Sequence, residues 1–226
     1  MKAQTLLLSP TATPLLRLPG PTKRREVQVF SSWPLTDRIR QHWRVNWKSH
    51  LGTVVLAAVV LISVQTWQTR DVPGGPAPDF VLTLVQPDGT STQSTLHAWR
   101  ARHPGQPVAL HFWADWCPIC RTEENSISRL TTDWPVLTVA MQSGPAVDVA
   151  RVMRQRQLPW NTTVDERGTV MHRYGFKGVP AFVVIDAHGR LRTPSMGYTT
   201  EIGMRLRLWW ASLTSLLDSQ GMAVAG

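Results

Sequence analysis

The sequence predicts an α/β domain, a central mixed β-sheet flanked by helices, behind one N-terminal transmembrane helix. Three observations predict it. From Asp79 onward, short apolar runs alternate with helix-like segments, a pattern that gives a sheet covered by helices on both faces. Upstream, LGTVVLAAVVLISVQTW (Leu51–Trp67) carries no charge and is just long enough for a bilayer core, which takes about 17–25 residues. Between the two lies RDVPGGPAPDF, whose Pro and Gly density stops a helix and reads as a linker. The 226 residues leave room for one full domain with accessory segments and not for two large ones.

The net charge of +9 is unevenly placed. Residues 1–50 hold nine Lys or Arg against two acids, whereas the chain from Arg70 onward is nearly balanced, fifteen against thirteen. A nucleic-acid binder would carry its basicity on the folded domain, so no nucleic-acid partner is expected. A basic tail ahead of an apolar helix instead marks the cytoplasmic side of a membrane anchor. Trp43, Trp47 and Trp67 flank the run, where indole rings favour the headgroup layer. The basic region is too long, and a small-x-small cleavage site too unclear, for a removed signal peptide. The expected organisation is a basic cytoplasmic tail at 1–48, an anchor at 49–68, a linker at 69–78 and a domain at 79–220. The domain would then lie outside the inner membrane, in the periplasm. Residues 1–32, rich in Pro, Ser and Thr, are expected to be disordered. Trp33–His50 reads either as a basic helix on the anionic leaflet or as a plain topology signal.

The elements follow in order. Asp79–Gln86 is a strand closed by the turn Pro87–Gly89. Ser94 caps a helix running to about Arg102, ended by Pro104 and Gly105. Val108–Ala114 suits a buried central strand. Cys117 opens a helix to about Leu130, and Val136–Met141 returns as a strand. Ala146–Gln157 is a helix and Trp160–Val164 a short strand, followed by the turn DERG. Ala181–Asp186 and Leu191–Met196 form a hairpin around DAHG. Thr199–Leu217 closes the domain as an amphipathic helix.

Cys117 and Cys120 are the only cysteines. A C-x-x-C spacing is half of a zinc site, a redox pair, or two unrelated thiols. Structural zinc takes four ligands, usually from two such knuckles. There is no second pair here, and His97, His103, His111 and His172 are scattered without ligand spacing, so no metal is expected. The redox reading leads. Cys117 falls where a strand gives way to a helix, so unpaired backbone N–H groups and the positive end of the helix dipole favour its thiolate. A thiolate attacks a partner's disulfide, and a second thiol one helical turn on, Cys120, resolves the mixed disulfide. Pro118 suits the first helical position, which needs no N–H donor.

The segment HFWADWCPIC (His111–Cys120) resembles the thioredoxin signature, and Gly178-Val179-Pro180-Ala181 resembles that family's Val-Pro loop. The resemblance implies a thioredoxin-like fold with Pro180 in the cis form beside the sulfurs, shaping the groove and keeping metal away. It implies that Val179 offers its backbone to a substrate strand, and that no cofactor is needed beyond the Cys117–Cys120 disulfide. The rim is assigned to Trp116, Pro118 and Ile119. An extra helix and strand, roughly Ala146–Val164, is similar to the insertion of the TlpA-like branch, which shares C-x-x-C-x-x-E and so places Glu123 beside the site. The tail, single anchor, G-x-A-P-D-F linker (Gly75–Phe80) and Pro118 together look closest to the membrane-anchored copper-sensitivity suppressor D type, which would connect the protein to copper tolerance. The resemblance covers about residues 35–217.

His111 departs from the family, standing where thioredoxin has a buried acid. It is either a base for the resolving thiol, with an ordinary pKa of about 6.5, or a core histidine with a satisfied hydrogen bond. Glu123 is either a proton relay or a solvated carboxylate, because Asn125 replaces the Pro usual two residues later. Trp113 and Trp116 would shield the sulfurs and contribute to a partner surface, with core packing the alternative, stronger for Trp113. Trp99, Tyr174 and Phe176 are assigned to packing. The expected activity is exchange of the CPIC dithiol or disulfide with thiols or disulfides of substrate proteins. The preferred direction is reductive, fed by a membrane-embedded electron donor. The alternatives are a DsbA-like oxidant, a Cu(I)-binding module using two soft thiolates, and an inert disulfide.

Overall fold

The computed structural model describes residues 35–86 and 88–224, with side chains placed from 47 to 218. The expectations for residues 1–32, Trp33, the Trp43 ring and Pro87 lie outside the described residues. The chain divides after Gly52 into two compact units, and the sheet, its helices and both cysteines belong to the second.

Helix α1 (Leu35–Gln68) runs through both the basic segment and the apolar one. Its stretch Trp47–Gln68 is 22 residues long and apolar enough to cross a membrane. Val54, Leu56, Leu61 and Ile62 on it are all exposed, so among the described residues nothing covers this apolar surface, as a helix apolar all round would require in water.

Seven strands follow: β1 (Val81–Val85), β2 (Ser91–Thr95), β3 (Val108–Trp113), β4 (Val136–Met141), β5 (Asn161–Asp165), β6 (Ala181–Ile185) and β7 (Leu191–Met196). They form one sheet in the order β2-β1-β5-β4-β3-β6-β7. The pairs β3–β4 and β4–β5 are parallel and the rest antiparallel. The central strands β3, β4 and β6 are buried at every position, hence their unbroken apolar runs. One face carries α2 (Leu96–Arg100) and α5 (Thr169–Arg173), which seal Phe112, Tyr174 and Phe176 with Leu96, Trp99 and Met171. The other carries α3 (Pro118–Asp133), α4 (Ala146–Arg156) and α6 (Glu201–Val224), which bury Ile127, Leu130, Val149, Met204 and Leu208 against Ala109, Trp113 and Phe182. Trp99, Tyr174 and Phe176 are core residues, as expected.

Three elements differ from the sequence reading. The helix expected from Ser94 is preceded by strand β2, which pairs with β1 from Val81↔Thr95 to Val85↔Ser91. Thr95, not Ser94, caps α2 by accepting from the Ala98 N–H at 3.0 Å, and the helix is only five residues long. STQST is polar because it is an edge strand with mostly exposed side chains, so alternation could not reveal it. Helix α5 was not expected after DERG. The buried Asp165 carboxylate accepts from the Met171 N–H at 3.0 Å and holds that turn. Helix α6 is apolar on its outward face as well as its inward one, so it is not the simple amphipathic cover expected.

Candidate active site

The site is built at the C-terminal end of β3. The chain leaves the sheet at Ala114, turns through Asp115 and Trp116, and enters α3 with Cys117 as N-cap in extended backbone (φ −84°, ψ 111°) and Pro118 in the first turn. The turn is fastened from two sides. Asp115 N–H donates to Ser143 Oγ at 3.0 Å, and Trp116 Nε1 donates to the Gln142 carbonyl at 3.1 Å. Arg156, at the end of α4, donates to the Asp115 carbonyl and pairs with Glu124 of α3, both at 2.9 Å. The expected insertion, now α4 and β5, thus supplies a clamp on the cysteine loop. Arg156, Gln142 and Ser143 carry no motif, and only the folded register brings them to the loop.

Cys117 and Cys120 form a disulfide. Cys117 Sγ accepts from the Cys120 N–H at 3.2 Å, the bond an N-cap side chain makes with the first turn. The same donor favours a thiolate once the disulfide is reduced. Val179–Pro180 is cis, and the Val179 carbonyl oxygen lies 3.9 Å from Cys117 Sγ. Both cysteines are nearly buried, while Trp116 (56%) and Ile119 (50%) are exposed on the rim. The structure therefore brings Cys117, Cys120, Trp116, Pro118, Ile119, Val179 and Pro180 together. Trp113 is buried and stacks edge-on with Trp160 at 5.3 Å, so it contributes packing and no partner surface. No group of three or more metal-ligating side chains occurs among the described residues.

The two polar residues beside the site are both buried. Glu123, one turn after Cys120, is 1% exposed rather than solvated. Its Oε1 accepts a short hydrogen bond from the Thr199 N–H, and its Oε2 is buried without a partner. Burial pushes its pKa up to about 7, against the opposing pull of the Thr199 N–H. His111 lies on β3, on the cysteine side of the sheet between Ala109 and Trp113. Its Nδ1 is buried without a partner, its ring meets Trp160 edge-on, and burial pushes its pKa down to about 3. At neutral pH, His111 is uncharged and Glu123 is poised between its two forms.

The family model for AhpC/TSA matches residues 73–193, more than half of the chain. The chain belongs to the AhpC/TSA family. Over 140 residues it is 28% identical to the thioredoxin-like protein of Haemophilus influenzae, spanning 59% of this chain and 83% of that one. It is 25% identical over 172 residues to the thiol:disulfide interchange protein DsbE of Pseudomonas aeruginosa, spanning 74% and 89%. A secreted thiol-disulfide isomerase from Corynebacterium glutamicum superposes with a TM-score of 0.51 at 18% identity, over 60% of this chain and 84% of that one, a likeness of fold. The fold is thioredoxin-like, with the family's match covering the cysteine loop and the Val-Pro loop alike.

The carboxyl of Glu123 gives a pH signature. An acid whose pKa rises on folding contributes stability below its unfolded value that is lost as pH rises through the folded one, here between 4.5 and about 7. His111 acts oppositely, contributing above 6.5 and losing it as pH falls toward 3. Glu123→Gln stays neutral throughout. In thermal melts of the oxidised chain, the variant's stability relative to the native chain is expected to rise from pH 4.5 to 7 and then level off. A difference independent of pH over that range would show that burial does not hold Glu123 neutral.

Proposed function

We propose that this protein is a membrane-tethered thiol–disulfide oxidoreductase that acts on protein partners as a reductase. The observation that carries the proposal is Cys117 at the N-cap of α3, its sulfur held by the Cys120 N–H and facing the cis Val179–Pro180 loop. The names of its relatives, an interchange protein and a thioredoxin-like protein, support the same chemistry.

In the reductive direction, the Cys117 thiolate attacks one sulfur of a partner's disulfide. A Cys117–partner bond forms, and the other partner sulfur leaves as a thiolate. Cys120 then gives up its proton and attacks Cys117 Sγ. The second partner sulfur leaves and takes a proton, so the partner gains two electrons and the Cys117–Cys120 disulfide closes. Glu123 is the group to receive the Cys120 proton: it lies one turn further along the buried side of α3, with a pKa near neutrality. His111 shapes the apolar wall of the site and can act only as a neutral base. Val179 pairs through its backbone with the partner segment, and Trp116 and Ile119 form the apolar rim on which that segment rests.

The anchor at 49–68, with its basic tail at 1–48 on the cytoplasmic side, would hold the domain at 79–220 in the periplasm at the end of the linker 69–78. A single tether restricts the domain to clients at the membrane, which favours a selective reductase recharged by a membrane-embedded donor. The α4–β5 insertion supports placement in the TlpA-like branch, and the anchor with Pro118 supports the copper-sensitivity suppressor D type.

Cys120→Ser removes the resolving thiol. The reduced variant is expected to accumulate mixed disulfides through Cys117 when given a disulfide-bonded protein, and Cys117→Ser to accumulate none. No adduct with the first variant, together with stoichiometric Cu(I) binding by the reduced native chain, would favour a metal carrier instead. Equilibration of the native chain with glutathione reads the direction. A potential near that of thioredoxin, about −270 mV, is expected for a reductase, and one near about −120 mV would make it an oxidant.

A further inference from the structure

Helix α6 presents two apolar faces. Met204, Leu208 and Ala211 point into the core, while Ile202, Leu206, Trp209, Trp210, Leu213 and Leu217 recur at helical spacing on the other side, each more than half exposed. Between Ile202 and Leu217, every exposed position carries Ile, Leu or Trp. A helix that covers a domain in water turns polar residues outward, and a contiguous exposed apolar surface marks an interaction site.

The anchor's attachment indicates what covers this face. Gln65, near the end of the apolar span, donates from Nε2 to the Met196 carbonyl at 3.2 Å, five residues before α6 begins. Asp71 pairs with Lys177, and its carbonyl approaches Gly175 so closely that a Cβ there would lie 2.0 Å from it. Further on, Leu191 N–H donates to the Gly75 carbonyl and Ala77 N–H to the Gly189 carbonyl, both at 2.8 Å. The chain between span and sheet is thus bonded to the domain at successive points, and α6 starts beside the place where the span ends. Two indoles in sequence, Trp209 and Trp210, suit the headgroup layer. Beside the apolar face, the Arg207 guanidinium donates to the Gly203 carbonyl and forms no ion pair among the described residues, leaving donors for a lipid phosphate.

We propose that α6 lies in the interface of the membrane that its own anchor crosses, with its outward face covered by lipid. This rests on the reading of Trp47–Gln68 as a membrane span. The anchor and α6 together hold the domain at two points, fixing the height and tilt of the cysteine site above the bilayer.

The test uses the full chain in nanodiscs of phosphatidylethanolamine and phosphatidylglycerol containing a lipid with a photoactivatable acyl chain, followed by peptide mass analysis. Lipid adducts are expected on the peptide bearing Trp209 and Trp210 and on the Trp47–Gln68 peptide, several-fold above the Trp116 peptide of the exposed rim. Labelling of the span with α6 at the Trp116 level overturns the inference and leaves the span intact. Labelling of neither overturns the span reading and the inference with it. Low lipid labelling of α6, together with chain-to-chain links at α6 from a separate bifunctional cross-linker, would show that a second copy covers the face, and equally overturn it. In the double variant Leu206→Ser and Trp210→Ser, labelling of α6 is expected to fall several-fold and that of the span to stay unchanged.

Discussion

Cys117 is the first residue of the molecule to meet the α3 dipole. Where β3 ends, Cys117 caps α3 with its own sulfur, accepting from the Cys120 N–H at 3.2 Å. The bond is worth little as a cap compared with one made by an oxygen, and its value in the proposed reaction is chemical: it places a donor and the positive end of a helix against the atom that would carry negative charge. The rest of the domain serves to keep that junction in place. The parallel β3–β4 pair and the antiparallel β3–β6 pair fix the end of β3, Arg156 and Ser143 fix the loop, and the cis Val179–Pro180 bond brings the neighbouring loop to the sulfur.

The same face of the sheet holds two titratable groups whose environments drive them in one direction, toward the uncharged form. Burial lowers His111 and raises Glu123, so of the two buried groups only Glu123 is near neutrality. In the proposed reaction, a proton taken from Cys120 would need an acceptor whose pKa is near the working pH; of the two groups, Glu123 lies nearer it than His111. The Thr199 N–H that steadies Glu123 comes from the loop leading into α6, so the position of α6 and the state of the site are structurally linked.

Much of this was legible in the sequence. β4 and β7 run over the very residues expected, Val136–Met141 and Leu191–Met196, β4 because it is a buried apolar run and β7 because the turn DAHG fixes where the return strand of a hairpin must start. The cysteine pair was legible because cysteine is rare in this chain and its spacing is specific, and the Val-Pro loop because it follows a thioredoxin-like signature at a suitable distance. What stayed hidden depends on partners distant in sequence. STQST becomes a strand only because β1 offers it an edge. Glu123 is buried only because Thr199, 76 residues later, closes over it. Arg156 reaches the loop only through the register of β4 and β5. The outward apolar face of α6 was present in the sequence, but a helix apolar on both sides resembles an ordinary core helix until its surroundings are known.

In the proposed reaction, the α3 N-terminus makes Cys117 the nucleophile. The most direct measurement is the pH dependence of alkylation of the reduced chain by iodoacetamide, with the modified residue identified by mass. Adducts on Cys117 with a half-maximal rate below the ordinary thiol pKa of about 8.5 are expected. First reaction at Cys120, or an inflection at or above about 8.5, would show that the helix start does not activate Cys117.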